Sequence, residues 1–446
     1  MHFVVIGGDA AGMSAASRGK RRSPDMMVTV FERSGDVSYS ACGMPYNIAD
    51  PHRGMEDLVV RSADAFRAKQ GIDLFTGHTV TRIDTARRTV HGIREDGSAF
   101  SSSYDRLLIA TGASPVRPVL QGIDLPGVMV LKSLADGRAI KDALSRGPVR
   151  RVAILGMGYI ALEMCEALAA RGIAVDMVKP GPALLPWMDR KLADAVQQEL
   201  EARRVGLHAG TVLTAIRRAG DILRLESIQG AIDADLVIAA VGVAPNSALA
   251  ADAGLALGPS GAIAVGEDLL TSDAAVYAAG DCADAFHVVT GQRVWIPLAL
   301  RANRAGWAVA DTVSGELTRL EGVAGTAVFK VFDLEVARTG LTAAEAADAG
   351  LDPAAATITT RSRAHAHPGA VDIHVHIVGD RRTGRLLGAQ MVGKEGAAHR
   401  INAAAVALHA KMTVAAFAQS DLAYAPPFGP VWDPLLVAAN QLMKKL

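Results

Sequence analysis

Two copies of a glycine-rich strand–turn–helix pattern constrain the fold more than any other feature of this sequence. The first copy has a buried strand over residues 2–7, the loop Gly7-Gly8-Asp9-Ala10-Ala11-Gly12, a helix over 13–22 and a second strand that ends at Glu32. Glycines in such a loop let the backbone approach a pyrophosphate at the helix N-terminus, and the terminal acid binds a ribose hydroxyl. Asp9 replaces the second glycine of the usual fingerprint, so the first copy departs from it at this position.

The second copy begins at Val152 and has the loop Gly156-Met157-Gly158-Tyr159-Ile160-Ala161, with a helix over 162–171 and a strand over 174–178. Lys179 takes the place of the ribose-binding acid. A cation there can pair with a 2′-phosphate, which favours NADPH over NADH, and a solvated turn lysine is the alternative. Two dinucleotide folds in one chain indicate two nucleotides and electron transfer between two cofactors.

The composition excludes several classes of protein. Lysine plus arginine and aspartate plus glutamate both number 46, so no net charge points to nucleic acid or to a membrane surface. No apolar run approaches the ~18 residues of a membrane span, and the first strand leads into glycines rather than into a cleavage site. Three widely spaced cysteines suit a reducing compartment. We therefore predict a cytoplasmic protein of two to four domains without a nucleic-acid or membrane partner.

Cys42 is the residue most open to a chemical role. It lies in the run Ser38-Tyr39-Ser40-Ala41-Cys42-Gly43-Met44-Pro45-Tyr46, ten residues past the first dinucleotide unit, and no second cysteine stands at CxxC or CxxxxC spacing. A redox-active thiolate would therefore exchange with a sulfur or an oxygen from outside the chain. The Gly-x-Pro turn predicts a helix after Cys42, whose dipole would lower the pKa of the thiol. The alternative is a buried, inert cysteine, which is the role predicted for Cys165 and Cys282.

Further strands fit this scheme. The segments 105–112 and 235–246 each read as a strand that ends in a tight turn, and a strand beginning at Val276 places Asp281 at its carboxyl end, where open parallel sheets bind ligands. After Gly322 the pattern changes to that of a separate α+β domain. Its antiparallel strands are predicted over 326–332, 357–360, 371–378 and 386–392, and its helices over 402–411 and 432–444.

A group of histidines lies in this last domain. His374 and His376 share the polar face of one strand with Asp372, and His365 and His367 are close in sequence. A polar strand face or a subunit contact is favoured over a metal site, so we predict no bound metal. The role of the four histidines stays open.

Together these residues resemble the pyridine nucleotide–disulfide oxidoreductases, and within them the single-cysteine branch that is closest to CoA-disulfide reductases. The most specific motifs are Ser38-x-x-x-Cys42-Gly43-x-Pro45-Tyr46, Ala279-Gly280-Asp281 and Tyr424-Ala425-Pro426-Pro427-Phe428. The resemblance implies an α/β fold of two Rossmann-like domains and a C-terminal α+β dimerisation domain. FAD would occupy 1–114 with 245–322, NAD(P)H would occupy 115–244, and 323–446 would form a homodimer.

The glycine loops and the resemblance together assign residues to each ligand. Those expected to hold FAD are Gly7, Ala10, Ala11, Gly12, Glu32, Arg33, Val80, Ala110, Thr111, Gly112, Gly280, Asp281, Pro297, Leu298, Ala299, Tyr424 and Phe428. Those expected to hold NAD(P)H are Gly156, Gly158, Tyr159, Ile160, Glu163, Lys179 and Gly242. Those expected to contact coenzyme A are Ser14, Arg18, Arg21, Ser38, Lys69, Asn303 and Trp432.

The implied activity is the NAD(P)H-dependent reduction of CoA disulfide, or of a related small disulfide, through a mixed disulfide on Cys42. Tyr424 of the partner subunit would then protonate the leaving thiolate. Peroxidase and oxidase members of the branch carry a histidine where this chain has Ala10, which makes oxygen chemistry the weaker reading. An NAD(P)H oxidase and a CoA-persulfide or polysulfide reductase remain the alternatives. A flavoprotein that serves a protein partner and a redox sensor are rivals of other classes.

Overall fold

The computed structural model describes all 446 residues, with 25 strands and 12 α-helices. Its first part contains β1 (His2–Ile6), α1 (Ala10–Arg22), β2 (Met27–Phe31), α2 (Met44–Ala49), α3 (Ala63–Gln70), β3 (Asp73–Phe75), β4 (His78–Asp84), β5 (Thr89–Arg94), β6 (Ala99–Ser103), β7 (Arg106–Ile109) and β8 (Ala113–Pro115). A parallel sheet of order β3-β2-β1-β7 forms its core, and β4, β5 and β6 make a separate antiparallel sheet. The glycine loop thus joins β1 to α1, as predicted.

The second part repeats this plan. It contains β9 (Val128–Val130), α4 (Leu134–Ser145), β10 (Arg151–Leu155), α5 (Tyr159–Ala170), β11 (Ala174–Lys179), α6 (Arg190–Ala202), β12 (Gly206–Ala209), β13 (Leu213–Ala219), β14 (Ile222–Ser227), β15 (Gly230–Ala234), β16 (Leu236–Ala239) and β17 (Val243–Pro245). The strands β12-β11-β10-β16-β9 form a parallel sheet, and β13–β15 form an antiparallel one.

The chain then returns to the first sheet through α7 (Ala248–Asp252), β18 (Val276–Ala278), β19 (Ala285–Phe286), β20 (Arg293–Val294) and α8 (Ala299–Val313). Strand β18 pairs in parallel with β7 and completes a five-stranded sheet, while α8 packs on α1. The outgoing and returning segments cross side by side, because β17 pairs antiparallel with β8. The first nucleotide-type domain is therefore built from two separate stretches of the chain.

The C-terminal part is a five-stranded antiparallel sheet with helices on one side. Its elements are β21 (Ala327–Val331), β22 (Leu334–Gly340), α9 (Ala343–Asp348), β23 (Pro353–Arg361), β24 (Asp372–Asp380), β25 (Leu386–Gly393), α10 (Ala397–His409), α11 (Val414–Ala418) and α12 (Pro434–Met443). The α/β fold with a C-terminal α+β domain is confirmed. None of the helices combines the length and the apolarity that crossing a bilayer requires.

Candidate active site

A cavity of about 500 Å³ opens at the carboxyl ends of β1, β2, β7 and β18 in the first sheet. The residues of the expected FAD set that line it are Gly7, Ala10, Ala11, Glu32, Arg33, Val80, Ala110, Thr111, Gly112, Gly280 and Asp281. Gly12 lies buried in the first turn of α1 instead, and residues 297–299 lead into α8 without lining the cavity. The position of this cavity follows the rule that open α/β sheets bind ligands at their carboxyl edge.

Backbone contacts explain why glycine begins both loops. Gly7 has φ +108°, and a Cβ there would lie 2.2 Å from the carbonyl oxygen of Ala110; Gly156 has φ +112°, and a Cβ there would lie 2.3 Å from that of Ala240. Any side chain at either position would collide with the neighbouring strand. The two loops therefore have the same local geometry.

The Glu32 carboxylate is held in place by hydrogen bonds. Its Oε2 accepts from the backbone N–H of Gly8 at 2.7 Å, and its Oε1 accepts from the N–H and the hydroxyl of Ser34, each at 2.7 Å. The side chain is fixed at the end of β2, where a dinucleotide ribose is bound in this kind of fold. The cavity thus fits the adenosine part of FAD.

Lys132 is a residue of this cavity that the sequence reasoning missed. Its Nζ lies 3.0 Å from Oδ2 of Asp281, and it lies between β9 and α4, far from Asp281 in sequence. Lys132 could have been found from its position in the sequence, because it follows a buried strand and directly precedes the capping box of Ser133 and Asp136. The pair brings a cation of the second domain into the cavity of the first.

Asp9 has an unusual environment in the same cavity. Its Oδ1 is buried and has no hydrogen-bond partner. Burial raises the pKa of the Asp9 carboxyl to about 6, and a hydrogen bond from the backbone of Tyr39 and the charge of Lys132 oppose that shift. The sequence showed Asp9 only as a departure from the glycine fingerprint.

A second cavity, of about 550 Å³, opens at the carboxyl ends of β10, β11 and β16. The residues of the expected NAD(P)H set that line it are Gly156, Gly158, Tyr159, Ile160, Lys179 and Gly242. A Cβ added at Gly158 or Gly242 would meet no atom within 4 Å, so a side chain there would enter the space of a bound nucleotide. These observations fit a dinucleotide at this edge. Glu163 does not line the cavity and lies one turn further along α5.

Lys179 stands at the end of β11 and reaches into this second cavity. Its Nζ donates a hydrogen bond to the carbonyl of Ala183 at 2.8 Å, and burial lowers the pKa of the amine. The contact holds the cation beside the Gly181 turn rather than in open solvent. A lysine held in this way lies where a 2′-phosphate is recognised in such folds.

Cys42 lies between the two cavities. It occupies a single 3₁₀ turn (Ala41–Gly43) whose neighbour Tyr39 lines the first cavity, and the following helix α2 packs on α5, whose first residue Tyr159 lines the second. Cys42 is the exposed cysteine of the chain. Cys165 and Cys282 are fully buried, which confirms their predicted packing role.

The prediction that the helix after Cys42 lowers the pKa of its thiol was wrong. Partial burial, and then the Glu163 carboxylate, raise the pKa of this thiol above its ordinary value of 9.0, and the charge of Lys132 only partly opposes them. The helix α2 does begin just after Cys42, but it has six residues and starts at Met44. A helix that short has a weak dipole, which the carboxylate and the burial outweigh.

Tyr46 connects this loop to the second domain. Its hydroxyl donates to Oε1 of Glu163 at 2.9 Å, and burial together with that carboxylate raises the pKa of the Tyr46 phenol. Burial also raises the pKa of Glu163 itself. Tyr46 belongs to the Cys42 motif in the sequence, whereas no sequence pattern predicts its partner Glu163, which is 117 residues away.

The residues expected to contact coenzyme A fall into three groups. Ser14 donates to Asn303 at 2.6 Å, which joins α1 to α8. Arg18 makes two hydrogen bonds of 2.7 Å to Asp311. The remaining side chains are exposed or half-exposed, and they are Arg21 on α1, Lys69 on α3, Ser38 beside the Cys42 turn and Trp432 near the C-terminus.

The C-terminal aromatic residues lie away from both cavities of their own chain. Tyr424, Phe428 and Trp432 are 47%, 79% and 60% exposed, in a segment without regular secondary structure before α12. Side chains of this kind, exposed on a dimerisation-type domain, are placed to meet another molecule.

The histidines of β24 have structural partners. His374 contacts the hydroxyl of Thr359 at 2.8 Å, and Nδ1 of His376 lies 2.8 Å from the hydroxyl of Thr357 and 3.3 Å from Asp189. Three or more metal-binding side chains do not come together anywhere in the molecule. His376 therefore joins the C-terminal sheet to the second domain.

Comparison with known proteins gives the family. The sequence profile of the pyridine nucleotide-disulphide oxidoreductases matches residues 1–306, and the profile of their dimerisation domain matches residues 326–434. The chain belongs to the pyridine nucleotide-disulphide oxidoreductase family. As a member of this family it is an oxidoreductase enzyme, as predicted.

Several members of the family are similar over almost their whole length. An NAD(P)H sulfur oxidoreductase (CoA-dependent) of Pyrococcus abyssi is 41% identical over 98% of this chain and 97% of its own. A coenzyme A disulfide reductase of Staphylococcus haemolyticus is 27% identical over 96% of each chain. The solved structure of an NAD-dependent persulfide reductase from A. fulgidus has a TM-score of 0.96 and 36% identity over all of this chain and 83% of that one.

Proposed function

We propose that this protein uses NAD(P)H and FAD to reduce the disulfide of coenzyme A, or a related low-molecular-weight disulfide, through Cys42. One observation carries the proposal: the exposed cysteine of the chain lies between a cavity that fits FAD and a cavity that fits a pyridine nucleotide. The name of the relative from S. haemolyticus supports CoA disulfide as the substrate. Because Cys165 and Cys282 are buried, the sulfur that reacts with Cys42 comes from the substrate.

In the proposed reaction, the Cys42 thiolate attacks one sulfur of CoA disulfide. The S–S bond breaks, and the products are a Cys42–CoA mixed disulfide and one CoA thiolate. When bound, NAD(P)H and FAD would supply the two electrons that this reduction needs. These electrons reduce the mixed disulfide and return Cys42 to the thiolate as the second CoA leaves, so one NAD(P)H and one proton yield two CoA thiols.

Because its pKa is raised, the Cys42 thiol must be deprotonated before it can react. The free thiol is protonated at neutral pH, so the attack requires the loss of its proton. The Tyr46–Glu163 pair lies on the neighbouring helices and positions the loop that carries the thiol. We assign to these two residues a positioning role rather than a chemical one.

Each leaving CoA thiolate takes up a proton. We propose Tyr424 as the donor, acting in the active site of the other subunit of a homodimer. Its exposure on its own chain supports this, because a side chain that completes a site across an interface has no partner within one subunit. The match of residues 326–434 to the family's dimerisation domain supports the homodimer itself.

The cofactors and the substrate are assigned to the residues that carry suitable groups. Glu32 would hold the ribose hydroxyls of FAD and Asp281 its ribityl chain. Lys179 would hold the 2′-phosphate of NADPH, with NADH as a possible substitute. The exposed Arg21 and Lys69 would meet the phosphates of coenzyme A, because Arg18 is already paired with Asp311.

A second candidate is the reduction of a CoA persulfide or of polysulfide by the same cysteine. The relative from P. abyssi and the solved structure from A. fulgidus, both more similar to this chain than the CoA disulfide reductase, carry names of this kind. In this case the bond that Cys42 attacks joins a CoA sulfur to a sulfane sulfur, and the products are CoA thiol and hydrogen sulfide. NADPH consumption without oxygen, with CoA disulfide or CoA persulfide as the acceptor, separates the two candidates.

The test of the proposal uses the variant Cys42→Ser. We expect it to lose CoA-disulfide reduction by at least about a thousandfold, because serine has no nucleophilic sulfur. Its reduction of an artificial dye by NADPH should stay near the wild-type rate, which controls for FAD and nucleotide binding. Intact-mass spectrometry of wild type incubated with CoA disulfide should show a CoA adduct that the variant lacks. A Cys42→Ser enzyme with unchanged disulfide reduction, or faster NADPH consumption with oxygen than with either CoA substrate, would contradict the proposal.

A further inference from the structure

The loop between β1 and α1 contains an acidic residue, Asp9, at a position where a neutral residue would not repel a bound pyrophosphate. Asp9 is the N-cap residue of α1, so it lies directly before the helix N-terminus at which a pyrophosphate binds. Its side chain lines the first cavity, and its Oδ1 is buried without a hydrogen-bond partner. An ionised carboxylate at this point would face the two negative charges of the FAD pyrophosphate in a partly buried site, which is strongly unfavourable.

The other charged groups around the cavity do not remove this conflict. Lys132 is paired with Asp281 at 3.0 Å, and both oxygens of Glu32 already accept hydrogen bonds. The phenol of Tyr39 and the thiol of Cys42 bring no positive charge. Of the remaining lining groups, Arg33 is exposed at the edge, and Nδ1 of His78 donates a hydrogen bond to the carbonyl of Thr76. The backbone of Tyr39 and the charge of Lys132 compensate the Asp9 charge only in part, because burial still raises its pKa and its Oδ1 has no hydrogen-bond partner.

We infer that FAD binds to this protein together with one proton, which stays on the carboxyl group of Asp9 and forms a hydrogen bond to an oxygen of the pyrophosphate. A protonated carboxyl adds a hydrogen-bond donor where the glycine of the usual loop offers none. Its buried Oδ1 then gains the partner that it lacks within the chain. The inference rests on the flavin part of the proposed function and goes beyond it, because it predicts that pH controls the retention of the cofactor.

Burial already favours this protonation in the protein alone, since it raises the pKa of Asp9 to about 6. The nearby phosphates would raise it further in the complex. Asp9 thus has one pKa in the free protein and a higher one in the FAD complex. At pH values between the two, the apparent dissociation constant of FAD rises tenfold for each pH unit, because each binding event takes up one proton.

The experiment measures FAD release from the purified holoenzyme. The enzyme is diluted at pH 6 to 8.5, and free FAD is quantified by its fluorescence. For wild type we expect an apparent dissociation constant that rises about tenfold per pH unit. For Asp9→Asn, which keeps the shape and carries no charge, we expect a flat profile and tighter retention at pH 8. Calorimetry of FAD binding in buffers of different ionisation enthalpy should count close to one proton for wild type.

Two control variants isolate the carboxyl of Asp9. Asp25→Asn changes an exposed acid between α1 and β2, and His78→Gln changes the titratable imidazole of the same cavity. Both should keep the wild-type slope. A flat wild-type profile, or an unchanged slope in Asp9→Asn, would overturn the inference while the flavin assignment stands. A protein that binds no FAD at any pH would overturn the proposed function and this inference with it.

Discussion

Cys42 lies in an environment that keeps its sulfur protonated. Partial burial, and then the Glu163 carboxylate on α5, raise the pKa of the thiol, while the charge of Lys132 opposes them in part. Tyr46 holds Glu163 through a hydrogen bond of 2.9 Å. A thiol that is not ionised at neutral pH resists oxidation and alkylation, so we expect Cys42 to react slowly with both kinds of reagent.

The variant Glu163→Gln tests this electrostatic reading. It removes a negative charge near Cys42 and keeps the side-chain length, so the pKa of Cys42 should fall. Alkylation of the thiol by iodoacetamide, followed by mass spectrometry across pH 6 to 10, measures the shift. Tyr46→Phe is the matched control, because it loses the hydroxyl and keeps the Glu163 charge. An alkylation profile that moves in Tyr46→Phe but not in Glu163→Gln would contradict the assignment.

At this scale the sequence predicts a residue well when its partners are local. Glu32 meets Gly8 and Ser34 within its own βαβ unit, and the fingerprint gave its place. Lys132 could not be found in this way, since its partner Asp281 is 149 residues distant. The sign of the Cys42 pKa shift was wrong for the same reason, because Glu163 approaches only after the two domains pack together.

The helices and strands of the glycine-rich units begin and end close to the predicted places, with one consistent difference. Helices α1 and α5 start at Ala10 and Tyr159, three residues earlier than predicted, because the last three positions of each glycine loop belong to the first helical turn. Strand β22 (Leu334–Gly340) was missed. Val336 packs towards the second domain and Ala337 towards the C-terminal helices, so both faces are buried and no polar alternation marks the strand.

Under the proposed function, the end of β11 would distinguish the two pyridine nucleotides. Lys179 is the last residue of this strand and lines the second cavity, where its amine would pair with the 2′-phosphate of NADPH. Lys179→Glu should lower kcat/KM for NADPH by at least about tenfold, which corresponds to about 1.4 kcal/mol, and should leave the value for NADH within a factor of a few. Steady-state kinetics with both nucleotides measures the ratio.

The control for this prediction is Lys179→Met, which keeps the length of the side chain and removes the charge. It should lose part of the preference for NADPH without gaining a new repulsion. Equal losses for NADPH and NADH in Lys179→Glu would mean that the residue supports the fold of the β11 turn and does not read the phosphate.

At the scale of the whole molecule, the second domain is held on two sides. Arg138 of α4 makes two hydrogen bonds of 2.8 Å to Asp36 of the first domain. On the other side, Gln390 of β25 accepts from the backbone N–H of Asp189 at 2.8 Å and donates to the carbonyl of Trp187 at 3.0 Å. His376 lies 3.3 Å from the Asp189 carboxylate. No local sequence pattern predicts such contacts, which form only when the domains meet.

The Asp189 contact should make stability depend on pH. The hydrogen bond from His376 is the main cause that lowers the pKa of Asp189 from 3.8, so its stabilisation is present above pH 3.8 and is lost as the pH falls through the lower value in the folded protein. Asp189→Asn keeps the N-cap of α6 and removes the charge. At pH 7 we expect a loss of about 1 kcal/mol or less, since the pair is partly solvated, and a midpoint of thermal unfolding lower by about 1–2 °C.

The difference between wild type and Asp189→Asn should shrink as the pH falls below 3.8 and through the lower pKa of the folded protein, because the carboxylate is then protonated in both the folded and the unfolded chain. Differential scanning fluorimetry at pH 7 and at the lowest pH at which the protein is folded measures it. Asp194→Asn, a change of an exposed acid on the same helix, is the control and should have no effect at either pH. A constant difference at both values would assign the effect to packing instead of to charge.

The contacts on both sides of the second domain limit its movement relative to the rest of the molecule. Hydrogen bonds at Arg138 and at Gln390 attach the second domain to both of its neighbours, and they oppose a rotation of this domain towards the second cavity. Under the proposed function, the distance between the two bound cofactors would then be set by the folded arrangement of the domains and would stay the same from one catalytic cycle to the next.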